Sequence, residues 1–213
     1  LHMAEWLSPE EHYDVIGYLC RSSATLGEGM RRLSRYYALL HQRVSFVIEE
    51  RGDAAHLVHL VHGEPGPAPR HPVEFMLATL VLQARRSTGR PLAPRLVRLR
   101  HEAPPSSAEH LRIFGAPVRF GAEASELIVD RALLDEPQRN ADPRLCAVLD
   151  RQAEAELRRV QEAGAEAEGV VGRTRGAVLA LLRDSDGEPT LERAAARLRM
   201  SPRSLQRHLG AEG

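Results

Sequence analysis

The residues best suited to chemistry lie near the end of the chain, between Thr190 and Leu209. Two short helical patterns are separated there by a turn at residues 199–201, which is the spacing of a helix-turn-helix. Five arginines accompany a single acid in this stretch, so its local charge is strongly positive. A guanidinium can donate two hydrogen bonds to guanine, and a glutamine amide can pair with adenine. The pattern therefore predicts a surface that contacts double-stranded DNA.

The second helix of this pair has a defined beginning and a defined inner face. Ser201 and Pro202 supply an N-cap hydroxyl followed by proline at the first helical position. Leu205 and Leu209 are spaced to anchor one side of the helix on a core. The side that remains carries Arg203, Ser204, Gln206 and Arg207. The alternative interpretation is a helical hairpin whose arginines are merely solvated.

This stretch belongs to a chain of otherwise ordinary composition. The 213 residues carry no net charge, and no apolar run is long enough to predict a membrane span. All 29 basic residues are arginine, which a GC-rich genome explains, so arginine abundance alone is not evidence for function. Cys20 and Cys146 lie in unrelated apolar patterns, which favours free thiols in a reducing, cytoplasmic environment.

Upstream, the sequence predicts helices interspersed with strand pairs. A capping box at Thr25 begins an amphipathic helix over residues 26–43. Alternating residues 44–50 and 55–61, joined at 51–53, predict a hairpin. The further expectations are a loop at 63–72, a buried helix at 73–87, a strand at 96–101, a short helix at 106–115 and a strand pair at 118–120 and 126–129. These elements favour an α+β domain of antiparallel hairpins packed by helices.

A last long helix is expected over residues 142–161, with Asp142 and Pro143 at its start. Its predicted inner stripe is Leu145, Val148, Leu149, Ala153 and Leu157. Residues 161–172 consist almost wholly of Glu, Ala, Gly and Val and form the best candidate linker, although they could instead continue the helix. The predicted domains are therefore residues 1–160 and an all-α subdomain at 173–213.

Both predicted domains resemble one known family. Residues 191–213, with Met200-Ser-Pro-Arg-Ser-Leu-Gln-Arg207, are similar to the first helix-turn-helix of AraC/XylS-type transcriptional regulators. Three further segments resemble the arabinose-binding-like effector domain of that family. They are Ser23-Ala-Thr-Leu-Gly-Glu-Gly-Met-Arg-Arg-Leu-Ser-Arg-Tyr36, Phe114-Gly-Ala-Pro-Val-Arg-Phe-Gly-Ala122 and residues 127–134.

The resemblance implies roles for individual residues. By position, Arg203, Gln206 and Arg207 match the family's base-facing residues, and Ser201 matches its cap. Arg199 stands where the family usually has glycine, which adds a charge within reach of phosphate at some cost in backbone strain.

The resemblance also implies partners. It predicts a homodimer that binds promoter DNA and a small-molecule effector, with the helix at 143–161 as the dimer face and no cofactor. The effector is expected to shift the orientation or the oligomeric state of the DNA-binding part. The family's DNA-binding unit continues to a second helix-turn-helix, whereas this sequence stops at Gly213. We therefore expect a truncated unit that binds DNA weakly by itself.

An effector pocket is expected between a sheet face and its covering helices. The candidate lining residues are Tyr36, Tyr37, His41, Phe46 and Phe75, for each of which simple core packing is the alternative.

Other chemistry has weaker support in the sequence. His56, His59 and His62 form a cluster, but a strand turns His59 away from the other two, and no carboxylate or thiol lies at ligand spacing. We therefore predict no metal site. Phosphate loops and nucleophile elbows are missing too, so we predict no catalytic residues and no enzyme. The alternative to a DNA-binding regulator is a small-molecule-binding or protein-interaction module without direct DNA binding.

Overall fold

The computed structural model describes residues 1, 14–41, 43–62, 70–167, 169–183 and 190–212. The chain divides into an N-terminal unit, Leu1–Glu154, and a C-terminal unit, Ala155–Gly213. In the N-terminal unit the elements are α1 (Asp14–Ser22), α2 (Leu26–Leu40), β1 (Val44–Arg51), β2 (Ala54–Val61), α3 (Arg70–Thr88), β3 (Leu96–Arg98), α4 (Ala108–Phe114), β4 (Val118–Arg119), β5 (Ser125–Asp130) and a 3₁₀ turn (Arg131–Asp135). Helix α5 (Pro143–Ala167) crosses the division, and α6 (Gly169–Arg183), α7 (Leu191–Arg197) and α8 (Pro202–Glu212) follow.

The predicted hairpin is confirmed. β1 and β2 pair antiparallel from Val44 opposite Val61 to Arg51 opposite Ala54. Gly52 sits in the connecting turn with φ +63°, a left-handed conformation that glycine adopts without a steric penalty. Because side chains alternate along a strand, Phe46 and its partner His59 lie on the same face of the sheet.

The sheet has the order β1-β2-β5-β3-β4, which corrects two expectations. Residues 118–120 and 126–129 do not pair with each other, because β5 inserts antiparallel between β2 and β3. β3 and β4 pair parallel, so the sheet is mixed rather than built of antiparallel hairpins. The α+β class itself is confirmed.

One face of the sheet is covered by α2 and α3. Thr25 caps α2, and its side-chain oxygen accepts a hydrogen bond from the backbone N–H of Glu28 at 3.2 Å. Helix α3 is buried over most of its length, as its apolar sequence predicted. It begins at Arg70, within the predicted loop at 63–72, of which residues 63–69 lie outside the described part. The core lies where Leu57 and Leu127 face Leu26 and Leu80 of these helices.

Gln138 ties the end of α1 to a distant part of the chain. Its amide nitrogen lies 2.7 Å from the carbonyl oxygen of Cys20 and 3.1 Å from those of Ser23 and Thr25. The backbone N–H of Gln138 also donates to the carbonyl of Ala24. These bonds satisfy carbonyl groups at the break between α1 and α2, so this one side chain fixes the geometry of that junction.

Helix α5 begins where the sequence predicted. The Asp142 carboxylate accepts hydrogen bonds from the backbone N–H groups of Arg144 and Leu145, at 2.9 and 3.0 Å. The predicted inner stripe is wrong in part, because the side chains of Leu145 and Val148 are 42 % and 52 % exposed. Cys146 is buried in their stead, and Ala153 and Leu157 are buried as predicted.

The candidate linker at 161–172 is helical wherever it is described, which is the alternative that the sequence left open. Its role as a boundary, and the limits 1–160 and 173–213, stay predictions. The turn expected at residues 184–189 lies outside the described part.

In the C-terminal unit, α6, α7 and α8 pack around a small apolar core. The fully buried members are Ala195 and Leu205, with Ala194 nearly so. Val178, Met200 and Leu209 pack against them from the rim. Alanines at the centre let short helices approach closely, so seven residues of α7 suffice to complete the core.

Candidate functional site

The turn between α7 and α8 is closed by hydrogen bonds on both sides. The N–H of Met200 donates to the carbonyl of Ala195 at 2.9 Å, and that of Leu205 to Ser201 at 2.9 Å. Between them, Arg199 adopts φ +54°, a left-handed conformation that costs a residue with a Cβ about 1–2 kcal/mol. The turn therefore holds an exposed guanidinium on a strained backbone, at the position where the family that the sequence resembles usually has glycine.

Helix α8 is positioned by one cap and one anchor. The hydroxyl oxygen of Ser201 accepts a hydrogen bond from the backbone N–H of Ser204 at 3.1 Å. One turn further on, Leu205 is completely buried. Because positions three and four apart share a helix face, Arg203, Gln206 and Arg207 all lie on the side away from that anchor.

The structure exposes most of the predicted DNA-contacting side chains. Arg199, Ser201, Arg203, Gln206 and Arg207 are exposed, whereas Ser204 is half-buried. Arg199, Arg203 and Arg207 form no ion pair with any residue that the structure describes. The guanidinium groups of Arg203 and Arg207 and the amide of Gln206 thus face solvent on α8, and that of Arg199 faces solvent from the preceding turn, an arrangement suited to phosphate and base-edge contacts.

A cavity formed by described residues lies in the N-terminal unit. It measures about 440 Å³, within the size range of small-molecule sites. It opens between the end of α2, the hairpin and the start of α3. A second cavity near Cys20 and Met30 measures only about 80 Å³.

Three of the five predicted effector residues line this cavity: Tyr37, His41 and Phe75. The ring of Phe46 is fully buried and packs behind Tyr37, with ring centroids 6.3 Å apart. Tyr36 lies elsewhere, because its hydroxyl donates to the Asp150 carboxylate at 2.8 Å. Burial, together with this hydrogen bond, raises the pKa of Tyr36.

His59, which the sequence analysis considered only as a metal ligand, also lines the cavity. Its side chain is only 8 % exposed, and among the described residues its Nδ1 has no hydrogen-bond partner. Burial, assisted by the nearby charge of His41, lowers the pKa of His59 from its ordinary value of 6.5. The register of the hairpin could have identified it, since His59 lies directly opposite the buried Phe46.

A second buried polar group, Glu74, was missed by the sequence analysis. Its Oε1 accepts hydrogen bonds from His110 Nε2 at 2.7 Å and from Arg70 Nε at 2.9 Å, and His101 Nε2 lies 3.1 Å away. Burial opposes the charge of Glu74, but the hydrogen bonds from His110 and Arg70 outweigh it and lower the pKa. The ring of Phe120 packs against both imidazoles. This cluster joins α3 to α4.

The three histidines of the hairpin have separate environments. His56 Nδ1 lies 2.7 Å from the Glu126 carboxylate, and His62 Nε2 lies 2.8 Å from the Ser45 hydroxyl, while His59 faces the cavity. In the described ranges, no three His, Cys, Asp or Glu side chains are grouped to hold a metal ion. None of the helices described there has the length and apolar character needed to cross a membrane.

Comparison with known proteins assigns the family. Residues 1–138 match the arabinose-binding domain of AraC transcription regulators, N-terminal part. The chain belongs to this family, which confirms the resemblance noted in its sequence.

Two curated relatives match along most of the chain. The chain is similar to the ornithine utilization regulator of Pseudomonas aeruginosa, with 28 % identity over 94 % of this chain and 57 % of that protein. It is also similar to the HTH-type transcriptional regulator VirS of Mycobacterium tuberculosis, with 26 % identity over 93 % of this chain and 56 % of that protein. The chain thus spans little more than half the length of these relatives, both of which are named as regulators.

One solved structure shares the fold. The crystal structure of the transcriptional regulator CdpR from Pseudomonas aeruginosa superimposes with a TM-score of 0.57 and 19 % identity. The match covers 100 % of this chain and 67 % of CdpR.

Proposed function

We propose that this chain is the effector-binding part and one DNA-contacting helix-turn-helix of a ligand-responsive, cytoplasmic bacterial transcriptional regulator. The observation that carries the proposal is the outward face of α8, where Arg203, Gln206 and Arg207 are exposed while Leu205 is fully buried. Membership of the AraC family supports it. No enzymatic activity is part of the proposal.

In this proposal α8 enters the major groove as the recognition helix. Arg203, Gln206 and Arg207 contact base edges, Arg199 contacts phosphate from the turn, and the helix N-terminus capped by Ser201 faces the backbone. A single helix of this kind makes few phosphate contacts, so residues 1–213 bind DNA weakly as a monomer. Affinity increases when two copies bind paired half-sites.

The cavity in the N-terminal unit is the effector site of the proposal, with Tyr37, His41 and Phe75 among its lining residues. An effector changes transcription only if it binds one state of the protein more tightly than another. The dimer is the element we expect it to bias, so that ligand occupancy changes the affinity for DNA.

We assign the dimer contact to α5. Leu145 and Val148 lie one helical turn apart and expose 42 % and 52 % of their side chains, although both are large and apolar. A second copy would cover them. Light scattering should therefore detect a dimer that Leu145→Glu disrupts and Leu111→Glu does not, since Leu111 is exposed on α4. A strictly monomeric wild type at high concentration contradicts this assignment.

The test of DNA contact uses two charge-matched double variants of the natural full-length protein. Genomic fragments that it enriches serve as probes in gel-shift titrations. Arg203→Ala with Arg207→Ala should weaken binding by about 5- to 150-fold per residue, because a base contact contributes roughly 1–3 kcal/mol. Arg100→Ala with Arg119→Ala removes the same charge from exposed positions of the N-terminal unit and should leave affinity nearly unchanged.

The two double variants also distinguish sequence-specific DNA binding from nonspecific electrostatic attraction to DNA. Equal losses would mean that only net charge matters, and would argue against a reading role for α8. Unchanged binding in both would favour the second candidate, a small-molecule-binding or protein-interaction module without direct DNA contact.

A further inference from the structure

The cavity of the N-terminal unit has an unusual mixture of linings. Its apolar wall is made by Leu40, Val44, Val61, Pro72, Val73, Phe75 and Met76. Its polar groups are the imidazoles of His41 and His59 and the phenol of Tyr37. Among the described lining residues there is no carboxylate and no guanidinium or ammonium group. Among the described lining residues, the two imidazoles are therefore the groups that can pair with a charged ligand near neutral pH.

His59 is the group that most needs a ligand. It is more than nine-tenths buried, it lines the cavity, and its Nδ1 has no partner among the described residues. A buried polar nitrogen without a hydrogen bond is rare, because its lost hydration is not replaced. Nδ1 itself is enclosed by protein, so a ligand in the cavity would contact the edge of the imidazole ring that faces the cavity.

The rest of the cavity sets the size and the apolar character of the ligand. A volume of about 440 Å³ accommodates an aromatic or branched body. Phe75 and Met76 from α3 and Val44 from β1 offer it apolar contacts. Burial of such a body provides most of the binding free energy, and the polar head provides orientation.

A cationic head does not suit this lining. An ammonium group would enter beside two imidazoles with no described carboxylate to neutralise it, and burial of an unpaired charge is strongly unfavourable. An anionic head does suit it, because an imidazole can take up a proton from solution and become the counter-ion.

We propose that the cavity binds a largely apolar organic acid whose carboxylate is held by the imidazole of His59. The imidazole of His41 lines the same cavity. This inference rests on the proposed function, since it names the chemistry of the effector. On binding, the carboxylate stays deprotonated, and the imidazole takes up one proton from solvent, which forms one N–H bond; no other covalent bond forms or breaks. Burial and the nearby charge of His41 lower the pKa of His59, and an anion bound beside the ring would raise it.

The neighbours of His59 are consistent with this proton uptake. Across the hairpin it faces Phe46 and, on β5, Ser125, neither of which carries a charge. Helix α2 contributes Tyr37, the residue that follows the helix is His41, and the described lining residues of α3 are all apolar. Among the described lining residues, His41 is thus the other imidazole beside His59.

The test compares three probes with the same body and different heads: phenylbutyrate, phenylbutanol and phenylbutylamine. Isothermal titration calorimetry on the full chain should give the tightest binding for the acid. The alcohol should bind about tenfold more weakly or worse, because it cannot pair with a charged imidazole, and the amine should bind weakest. Repeating the acid titration in buffers of different ionisation enthalpy should reveal uptake of about one proton.

Two matched variants locate the head group. His59→Gln keeps a hydrogen-bonding side chain but cannot be charged, so it should lose at least about tenfold in acid affinity, lose the proton uptake and keep the alcohol affinity. His62→Gln should behave as wild type, since His62 is exposed and bonded to Ser45. Phe75→Ala should weaken acid and alcohol equally.

The inference is overturned if the amine binds as tightly as the acid, if His59→Gln leaves acid binding intact, or if none of the three probes binds. The comparison of the three probes on wild type stands even if a variant fails to fold. Acid binding that follows the expected pattern but leaves DNA affinity unchanged supports the cavity chemistry and removes the ligand-response part of the proposed function.

Discussion

In the N-terminal unit several polar side chains are buried, whereas the described polar side chains of the C-terminal unit are exposed or half-buried. Every buried polar or charged side chain among the described residues falls between Ser22 and Gln138. The buried core described for the C-terminal unit is made of Val, Leu and Ala, whereas Arg199, Arg203 and Arg207 are exposed. A buried polar side chain beside a cavity can bind a small molecule that enters the cavity. An exposed polar side chain can bind a larger partner that covers the surface. The two units are thus suited to different sizes of partner.

The strongest way to test this contrast is to damage the apolar core of the C-terminal unit. Leu205→Ala removes its most buried large side chain and should destabilise α6–α8 by about 2–5 kcal/mol. Hydrogen exchange should show lost protection in these helices. Leu111→Ala, at a side chain that is 60 % exposed, should stay within about 0.5 kcal/mol of wild type. Intact protection in Leu205→Ala would mean that the small core does not hold these helices.

The next largest effect should come from a buried charge in the N-terminal unit. Glu74→Gln keeps the side-chain shape but removes the acceptor charge shared by His110 and Arg70, so unfolding should cost about 1–3 kcal/mol less. Chemical denaturation measures this difference. The matched control is Glu109→Gln, where the carboxylate pairs with Arg112 at the surface. Equal effects at both sites would contradict the contrast between interior and surface chemistry.

A smaller effect is expected from pH, since it titrates a single buried imidazole. The pKa of His59 is lowered on folding, so the unfolded chain binds the proton more readily. Stability from this group is therefore present above the ordinary histidine pKa of 6.5 and is lost as the pH falls below it. The melting temperature of wild type should fall more steeply with acidification than that of His59→Gln. Parallel curves would show that His59 does not titrate on unfolding.

The smallest effect should come from the strained turn. Arg199→Gly relieves the left-handed backbone but increases the entropy of the unfolded chain, so stability should change by no more than about 0.5–1 kcal/mol. Arg199→Val should instead destabilise, because a β-branched residue is poorly tolerated at positive φ. Thermal melts of both variants measure this. A stable Arg199→Val would mean that the turn adopts another conformation in solution.

Local signals in the sequence were sufficient to predict where helices begin. Each N-cap side chain accepts a hydrogen bond from a backbone N–H no more than three residues later, as at Thr25, Asp142, Thr190 and Ser201. Such caps can therefore be recognised in the sequence without knowledge of the fold. The same holds for Leu205, whose spacing alone predicted its burial.

Contacts between distant segments were not predictable in this way. β5 inserts between β2 and β3, and nothing in its own residues specifies those neighbours. The Glu74 cluster depends on α4 packing against α3, and the exposure of Leu145 and Val148 depends on which face of α5 meets the rest of the unit. Part of the cavity was found, because Tyr37, His41 and Phe75 are aromatic or polar residues on elements that cover the sheet. His59 was missed as a lining residue because its importance comes from the empty space beside it.

Gln138 has a practical consequence for dissecting this protein. Its amide contacts three carbonyl groups that precede it by more than a hundred positions, and the neighbouring N–H of Asp142 donates to Ser22. While the protein is being synthesised, the α1–α2 corner has to wait for almost the whole N-terminal unit before these carbonyls are satisfied. Any excised fragment that stops short of the first turn of α5 should therefore leave that corner unfinished, however complete its sheet.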